Sequence, residues 1–256
     1  EGFVANWECT QEPCQTPALI SVDLDITDQD IINSISTPQT TVTIDTIICA
    51  DASIGTFDAT GTDLGLGQGL LLTSGDAGAV AGISTQQASI NSVLTEPDGD
   101  ADLDVLSTGS LSNDACVIEL EVFAATDELT FEYVFGSEEY PEFVGGTFND
   151  IFAFFISGPG IVGDPAIGNQ LNIATLPDGT PVQINSVNDS QNWEYYRDNS
   201  PGDFLNPSTQ VGQSVVYDGL TSDFQGVKKS LTARADVIPC NTYRLKLAVA
   251  DRGDDI

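Results

Sequence analysis

The segment Leu129–Phe135 reads Leu-Thr-Phe-Glu-Tyr-Val-Phe, apolar at every second position, and the same alternation returns along most of the chain. A period of two is met only by a pleated strand with one face buried. Ala18–Ile26 puts Val22, Leu24 and Ile26 on one face, and Thr41–Ile48 does so with Val42, Ile44 and Thr46. Val117–Phe123, Lys229–Ala235 and Thr242–Ala250 alternate as well. Ile151–Ser157 is apolar on both faces, as expected of a central strand. Gly69–Gly75 carries three leucines between glycines and reads as a buried strand; Leu171–Leu176, Val182–Val187 and Ser214–Tyr217 complete the set. Turn residues separate them, as at Gly158-Pro159-Gly160, Pro177-Asp178-Gly179 and Asp218-Gly219. The one respectable helix candidate is residues 84–94. These features predict an all-β fold: a β-sandwich or jelly-roll with long acidic loops and at most one or two short helices. Residues 1–17 read as an N-terminal extension or linker, and residues 18–256 as a single domain without internal repeats.

Charge decides which partners such a fold can have. Seven Lys and Arg stand against 39 Asp and Glu, a formal net charge of −32. Nucleic acid and anionic membrane both need a basic footprint, so neither is an expected partner. The chain has no His, which removes imidazole zinc sites, the Ser-His-Asp triad and the Cys-His dyad. It also lacks Met, so a processed or trimmed chain is expected, its signal peptide already gone. No apolar run approaches the roughly 20 residues of a membrane-spanning helix, so direct membrane insertion is not expected. The five cysteines are Cys9, Cys14, Cys49, Cys116 and Cys240. Cys9 and Cys14 can close a small loop, and the other three can supply one disulfide and one free thiol.

Three acidic groups could hold a hard cation. Asp98, Asp100, Asp102 and Asp104 alternate, so an extended segment would point all four carboxylates to one side. Calcium takes 6–8 oxygen ligands, about what clustered Asp on a Gly-relaxed loop provides. An EF-hand is excluded, because its sixth and twelfth positions are Leu103 and Gly109. The second group is Glu138, Glu139 and Glu142 at the end of the clearest strand, where a loop can bring Glu138 or Glu139 near Asn149 and Asp150. The third is Asp251, Asp254 and Asp255 after the last strong strand. Metal-ligand candidates are therefore Asp98, Asp100, Asp102, Asp104, Glu138, Glu139, Asn149, Asp150, Asp251 and Asp254, with Ca²⁺ the expected cofactor. A solvated acidic loop is the plain alternative for each. A carboxylate pair for glycoside hydrolysis is the enzymatic alternative, and no catalytic residue is assigned. Trp193, Tyr195 and Tyr196 place aromatics in a polar loop, where they could stack on sugars or cover a core edge. Asn188-Asp189-Ser190 fits the glycosylation acceptor pattern, and Arg252-Gly253-Asp254 spells an integrin-type tripeptide, a short match common by chance.

Longer words carry a resemblance. Leu129–Tyr140 (LTFEYVFGSEEY), Phe148–Gly158 (FNDIFAFFISG), Pro181–Asn188 (PVQINSVN) and Pro239–Asp251 (PCNTYRLKLAVAD) resemble the choice-of-anchor L domain family. Upstream, Gly69–Gly75 (GLLLTSG), Gly99–Leu103 (GDADL) and Asp114–Leu120 (DACVIEL) fit its N-terminal half, so the similarity spans roughly residues 38–256. The resemblance implies a secreted module of the bacterial cell surface, attached by varying C-terminal anchors or sorting signals, often those of type IX secretion. It implies no catalytic residues. Family domains continue past Asp-x-Gly-Asp with a tyrosine-led apolar strand, whereas this sequence stops at Ile256. The resemblance thus implies a fragment of a larger protein or a sheet lacking its last strand. A neighbouring chain can fill such an edge, as in a filament or surface-layer subunit. The expected function is a calcium-stabilised structural or adhesive module, with a carbohydrate-binding module as the alternative. Expected partners are other copies of itself, surface proteins or polysaccharide.

Overall fold

The computed structural model describes residues 18–84, 99–106, 111–199, 214–223 and 228–252. The extension at 1–17, the helix candidate beyond Ser84, Asp98, Asp254, Asp255, Cys9 and Cys14 lie outside the described residues. In chain order the elements are β1 (Ser21–Asp23), α1 (Asp28–Ile35), β2 (Thr40–Ile48), β3 (Ile54–Asp58), β4 (Gln68–Leu72), α2 (Ala101–Leu106), β5 (Ser112–Ala124), β6 (Glu128–Tyr133) and β7 (Gly136–Ser137). They continue with β8 (Ile151–Ser157), β9 (Leu171–Asn172), β10 (Tyr196–Asp198), β11 (Gly219–Thr221), β12 (Leu231–Asp236) and β13 (Asn241–Arg252).

The all-β expectation holds. An antiparallel sheet of five strands runs β2-β5-β13-β8-β9. Alternation along its strands gives it two buried faces. Ile118, Leu120 and Val122 of β5, Leu245 and Leu247 of β13, and Phe152 and Ile156 of β8 face one core. Across that core lies the β6–β12 ladder, with Leu129, Tyr133, Leu231, Ala233 and Ala235 turned inward. The intervening residues of the same strands, Val117, Ala248, Ala250, Ala153 and Phe155, face the other way onto Leu103 of α2 and Ile167. Ile151–Ser157 is therefore apolar on both faces because both are covered. A third cluster joins Ile20, Phe57, Val80 and Leu220 around the β1-β3-β4 sheet.

Several local expectations are corrected. The strand expected over Ala18–Ile26 is only three residues long, and Leu24 is exposed. The chain turns there into α1, which starts at a capping box: Asp30 N–H and the Thr27 hydroxyl meet, and Thr27 N–H donates to Asp30 Oδ2 at 2.8 Å. Ile31, Ile32 and Ile35 then cover the core. In β2, Thr46 does not share the face of Val42 and Ile44. A bulge at Asp45 sets Ile44 opposite Leu120 and Thr46 opposite Glu119, which reverses the alternation. Val182–Val187 is a bridge followed by turns, because Ser186 Oγ accepts from Gln183 N–H and donates to Pro181 O and closes the chain on itself. Ser214–Tyr217 is bent, and the strand lies just beyond it, in β11.

A disulfide joins Cys49, just past the end of edge strand β2, to Cys116 on β5, with Cα atoms 4.2 Å apart. Cys240 is free and exposed, so these three cysteines divide as one bond and one thiol.

Candidate functional site

The Asp98–Asp104 segment is not extended where it is described. Asp100 Oδ1 accepts from the backbone N–H groups of Asp102 (3.0 Å) and Leu103 (3.1 Å), and this opens α2. The helical turn scatters the carboxylates. Asp100 and Asp102 both reach Lys246 Nζ, at 2.6 and 2.7 Å. Asp104 accepts from Ser112 N–H (2.7 Å) and its hydroxyl (2.8 Å). Lys246 also lies over the Phe155 ring, 5.6 Å from its centroid. Burial alone would lower its pKa, but the bonds and charges of Asp100 and Asp102 outweigh burial and raise it. Arg252, 2 % exposed, reaches Leu103 O; burial lowers its pKa against the opposing charge of Asp104. The acidic segment is thus latched to β13 by two of the chain's few cations. The burial of Arg252 also removes it from display as part of a recognition tripeptide.

A different set of carboxylates lines a cleft between the sheets. On β13 the inward series is Leu247, Val249, Asp251; on β8 it is Phe154, Phe152, then Asp150 just before the strand. These strands are antiparallel, with Leu247 opposite Phe154 and Ala250 opposite Ile151. Asn149 N–H donates to Arg252 O at 3.2 Å, so the ladder continues and Asp150 stands across from Asp251. Leu70, Leu72 and Ser74 follow the same apolar-to-polar order along and just past β4, as do Phe131, Tyr133, Phe135 and Glu138 along and beyond β6. Four chain segments therefore bring their polar ends to one end of an apolar cleft of about 580 Å³.

Like charges directly opposite in a sheet repel. Here burial, then the charge of Asp150, pushes the Asp251 carboxyl up to about 9, with Glu138 and Asp114 adding to the rise and the Ser74 hydroxyl opposing it. Ser74 Oγ donates to Asp251 Oδ1 at 2.5 Å, and Ser137 Oγ donates to Asp150 Oδ2 at 2.8 Å. The Tyr217 hydroxyl, 3.3 Å from Thr73 Oγ1, is held protonated by burial and by the charge of Glu138. Glu138 thus joins Asp150 at the cleft, whereas Glu139 is buried outside its lining. Asn149 is a scaffold residue: its amide donates to Gln183 Oε1 (2.7 Å), and its oxygen accepts from Asn185 N–H (2.8 Å). Among the described residues no three His, Cys, Asp or Glu side chains are gathered round one point as a metal site.

Residues 19–256 match the choice-of-anchor L domain. The chain belongs to that family. No curated protein and no solved structure matches it. The family makes this choice-of-anchor L domain a surface-associated module. No helix among its described residues is long and apolar enough to cross a membrane. Its aromatic loop is divided. Trp193 is 55 % exposed, whereas Tyr195 and Tyr196 pack against the main core, Tyr196 with its ring 5.0 Å from that of buried Tyr140. Of the three aromatics, Trp193 is the one left on the surface. Asn188 is 1 % exposed; its amide donates to Ile184 O, and its oxygen accepts from Ser190 and Gln191 N–H. Such a side chain braces a turn and is not offered to a glycosyl donor.

The two readings that sequence reasoning missed are Ser74 and Lys246. Ser74 sits two residues beyond Leu72 on the inward side, and period-two counting from Leu70 could have placed it. Lys246, within an apolar strand, was a signal too: a lone Lys among buried positions needs acidic partners.

Proposed function

We propose that this choice-of-anchor L domain is a structural or adhesive module of the bacterial surface, stiffened by cations that neutralise its strand-end carboxylates. The observation that carries the reading is Asp150 facing Asp251 at a buried sheet end, with Glu138 in the same field. A proton relieves that repulsion in the metal-free domain, and a divalent cation can take its place. The donors are hard oxygens, which suit calcium in kind. They are not closed round one point among the described residues, so calcium would have to draw side chains in. Thermal unfolding in calcium, in magnesium and in chelator, at fixed ionic strength, tests this. Calcium at 100 times its dissociation constant should add about 2.7 kcal/mol, a rise of several degrees that magnesium does not reproduce. Equal midpoints in all three solutions would leave the carboxylates as proton-holding groups and end the calcium reading.

Assembly by strand addition belongs to the same proposal. The edge it would use is β2, nine residues long and terminal in the sheet order. The bulge at Asp45, and the ion pair of that residue with Arg244 (2.6 Å), are features that discourage casual pairing, so a partner strand must match them. Sedimentation over a wide concentration range should show association, and Thr43→Pro on this edge should reduce it. A protein that stays monomeric at the highest concentration is not a strand-addition subunit by itself.

A further inference from the structure

We infer that Lys246 and Asp100 join in an intramolecular amide, with Asp102 as the proton carrier. The link ties the start of α2 to the central strand β13 and gives the domain a covalent brace. It does not depend on cation binding at the cleft.

Three reactive groups are gathered here, largely out of water. The Lys246 side chain is 10 % exposed, that of Asp100 14 % and that of Asp102 25 %. Nζ lies 2.6 Å from Asp100 Oδ2 and 2.7 Å from Asp102 Oδ2. Phe155 is opposite Lys246 in the β8–β13 ladder, fully buried, with its ring 5.6 Å from Nζ. Gln170 Nε2 donates to Asp102 Oδ2 at 3.0 Å and holds that carboxylate in place. Burying charge is costly even in pairs, so the surroundings favour an uncharged amide over an ammonium and a carboxylate. Groups fixed in reacting geometry behave as if at roughly 10⁵–10⁸ M, which offsets the excess of water that otherwise keeps acid and amine apart.

Asp100 is the acceptor because its other oxygen is already placed for the reaction. Oδ1 accepts from the backbone N–H groups of Asp102 (3.0 Å) and Leu103 (3.1 Å). Those two donors stabilise negative charge as it builds on that atom. At rest Lys246 is an ammonium: burial works against its charge, and the two carboxylates sustain it. The reaction begins when Nζ passes a proton to Asp100 Oδ2, leaving a neutral amine beside a neutral acid. The Nζ lone pair forms a bond to Cγ, and the carbonyl pair moves to Oδ1. Asp102 takes a second proton from Nζ and delivers it to Oδ2. The Cγ–Oδ2 bond breaks, water leaves, and Oδ1 is a carbonyl oxygen again. One ammonium and one carboxylate thus give one amide and one water, and no co-reactant is needed. Asp102 ends as it began, with the new amide N–H to accept from.

Mass spectrometry of the folded domain tests this, after prolonged incubation at neutral pH and reduction of the Cys49–Cys116 bond. The expected mass is one water below that of the sequence. Digestion should give a branched peptide joining Lys246 to Asp100, with no tryptic cut after Lys246; the branch separates this link from water lost elsewhere in the chain. Lys246→Arg keeps the charge but offers no amine, so it should abolish the branch. Asp102→Ala should slow its formation at least tenfold. Far-ultraviolet dichroism checks that both variants are folded, and the parent's own peptide map decides the matter if they are not. A free Lys246 in the incubated, folded parent would overturn the inference. So would a branch at Asp102 in place of Asp100, or the same branched peptide from a chain kept in denaturant. An Asp102→Ala variant that reacts as fast as the parent would remove Asp102 as the proton carrier.

Discussion

Replacing Lys246 by methionine should destabilise the domain by about 3 kcal/mol, the low end for removing one member of a buried ion pair. The side chain is one-tenth exposed and serves two carboxylates at once, Asp100 at 2.6 Å and Asp102 at 2.7 Å. Methionine keeps most of the volume against Phe155, so the loss is charge and not packing. What remains is a pair of half-buried carboxylates in a chain that already carries −32. For a domain of this size the midpoint of thermal unfolding should fall by roughly 6 to 12 °C. Adding Asp100→Asn and Asp102→Asn to the same background should restore part of the loss, because the cost lies in uncompensated charge. A midpoint unchanged by Lys246→Met would mean that the latch between α2 and β13 contributes nothing. No recovery in the triple variant would mean that the lost contacts, and not the charges, mattered.

The second large effect concerns pH. The Asp251 carboxyl sits near 9 in the folded domain against 3.8 in the unfolded chain. Between those values the folded state holds a proton that the unfolded chain has released. The unfolded state binds fewer protons, so stability falls as pH rises from about 4 to about 9. The contribution is fully present below pH 4 and lost above pH 9. Neighbouring carboxylates share the proton, so the total is on the order of several kcal/mol. Asp251→Asn keeps the shape and an oxygen for the Ser74 hydroxyl. It should leave stability at pH 4 nearly unchanged and raise it at pH 8 by roughly a few kcal/mol, most of the linkage cost. Urea unfolding of both proteins at the two pH values measures this directly. A variant less stable than the parent at pH 8 would show that Asp251 is ionised there and compensated. The same substitution should abolish any calcium-dependent rise in the unfolding midpoint, since a cation acts by displacing this proton.

Much of the architecture was legible in the sequence because it depends on local periodicity. Alternation in Leu129–Phe135, Val117–Phe123 and Thr242–Ala250 marked strands of the main core, and the doubly apolar Ile151–Ser157 marked a strand covered on both sides. The familiar words from Leu129 to Asp251 marked the family. Other features were there to be read: Thr27 three residues before Asp30, ahead of an isoleucine cluster, is a helix start. The bulge at Asp45 was not, because a bulge is set by the partner strand, whose register no local pattern records.

The candidate site divides in the same way. Composition and spacing identified acidic strand ends, and among them Glu138, Asp150 and Asp251 do meet at one cleft. Only the tertiary structure separated them from Asp100, Asp102 and Asp104, which spend their charge on Lys246 and Ser112. The reason is physical. A sequence reports which groups are charged, but whether two carboxylates share a cation, a proton or a hydroxyl depends on distances across the sheet. Those distances follow from β13 pairing antiparallel with β8, which sets residues about a hundred positions apart face to face.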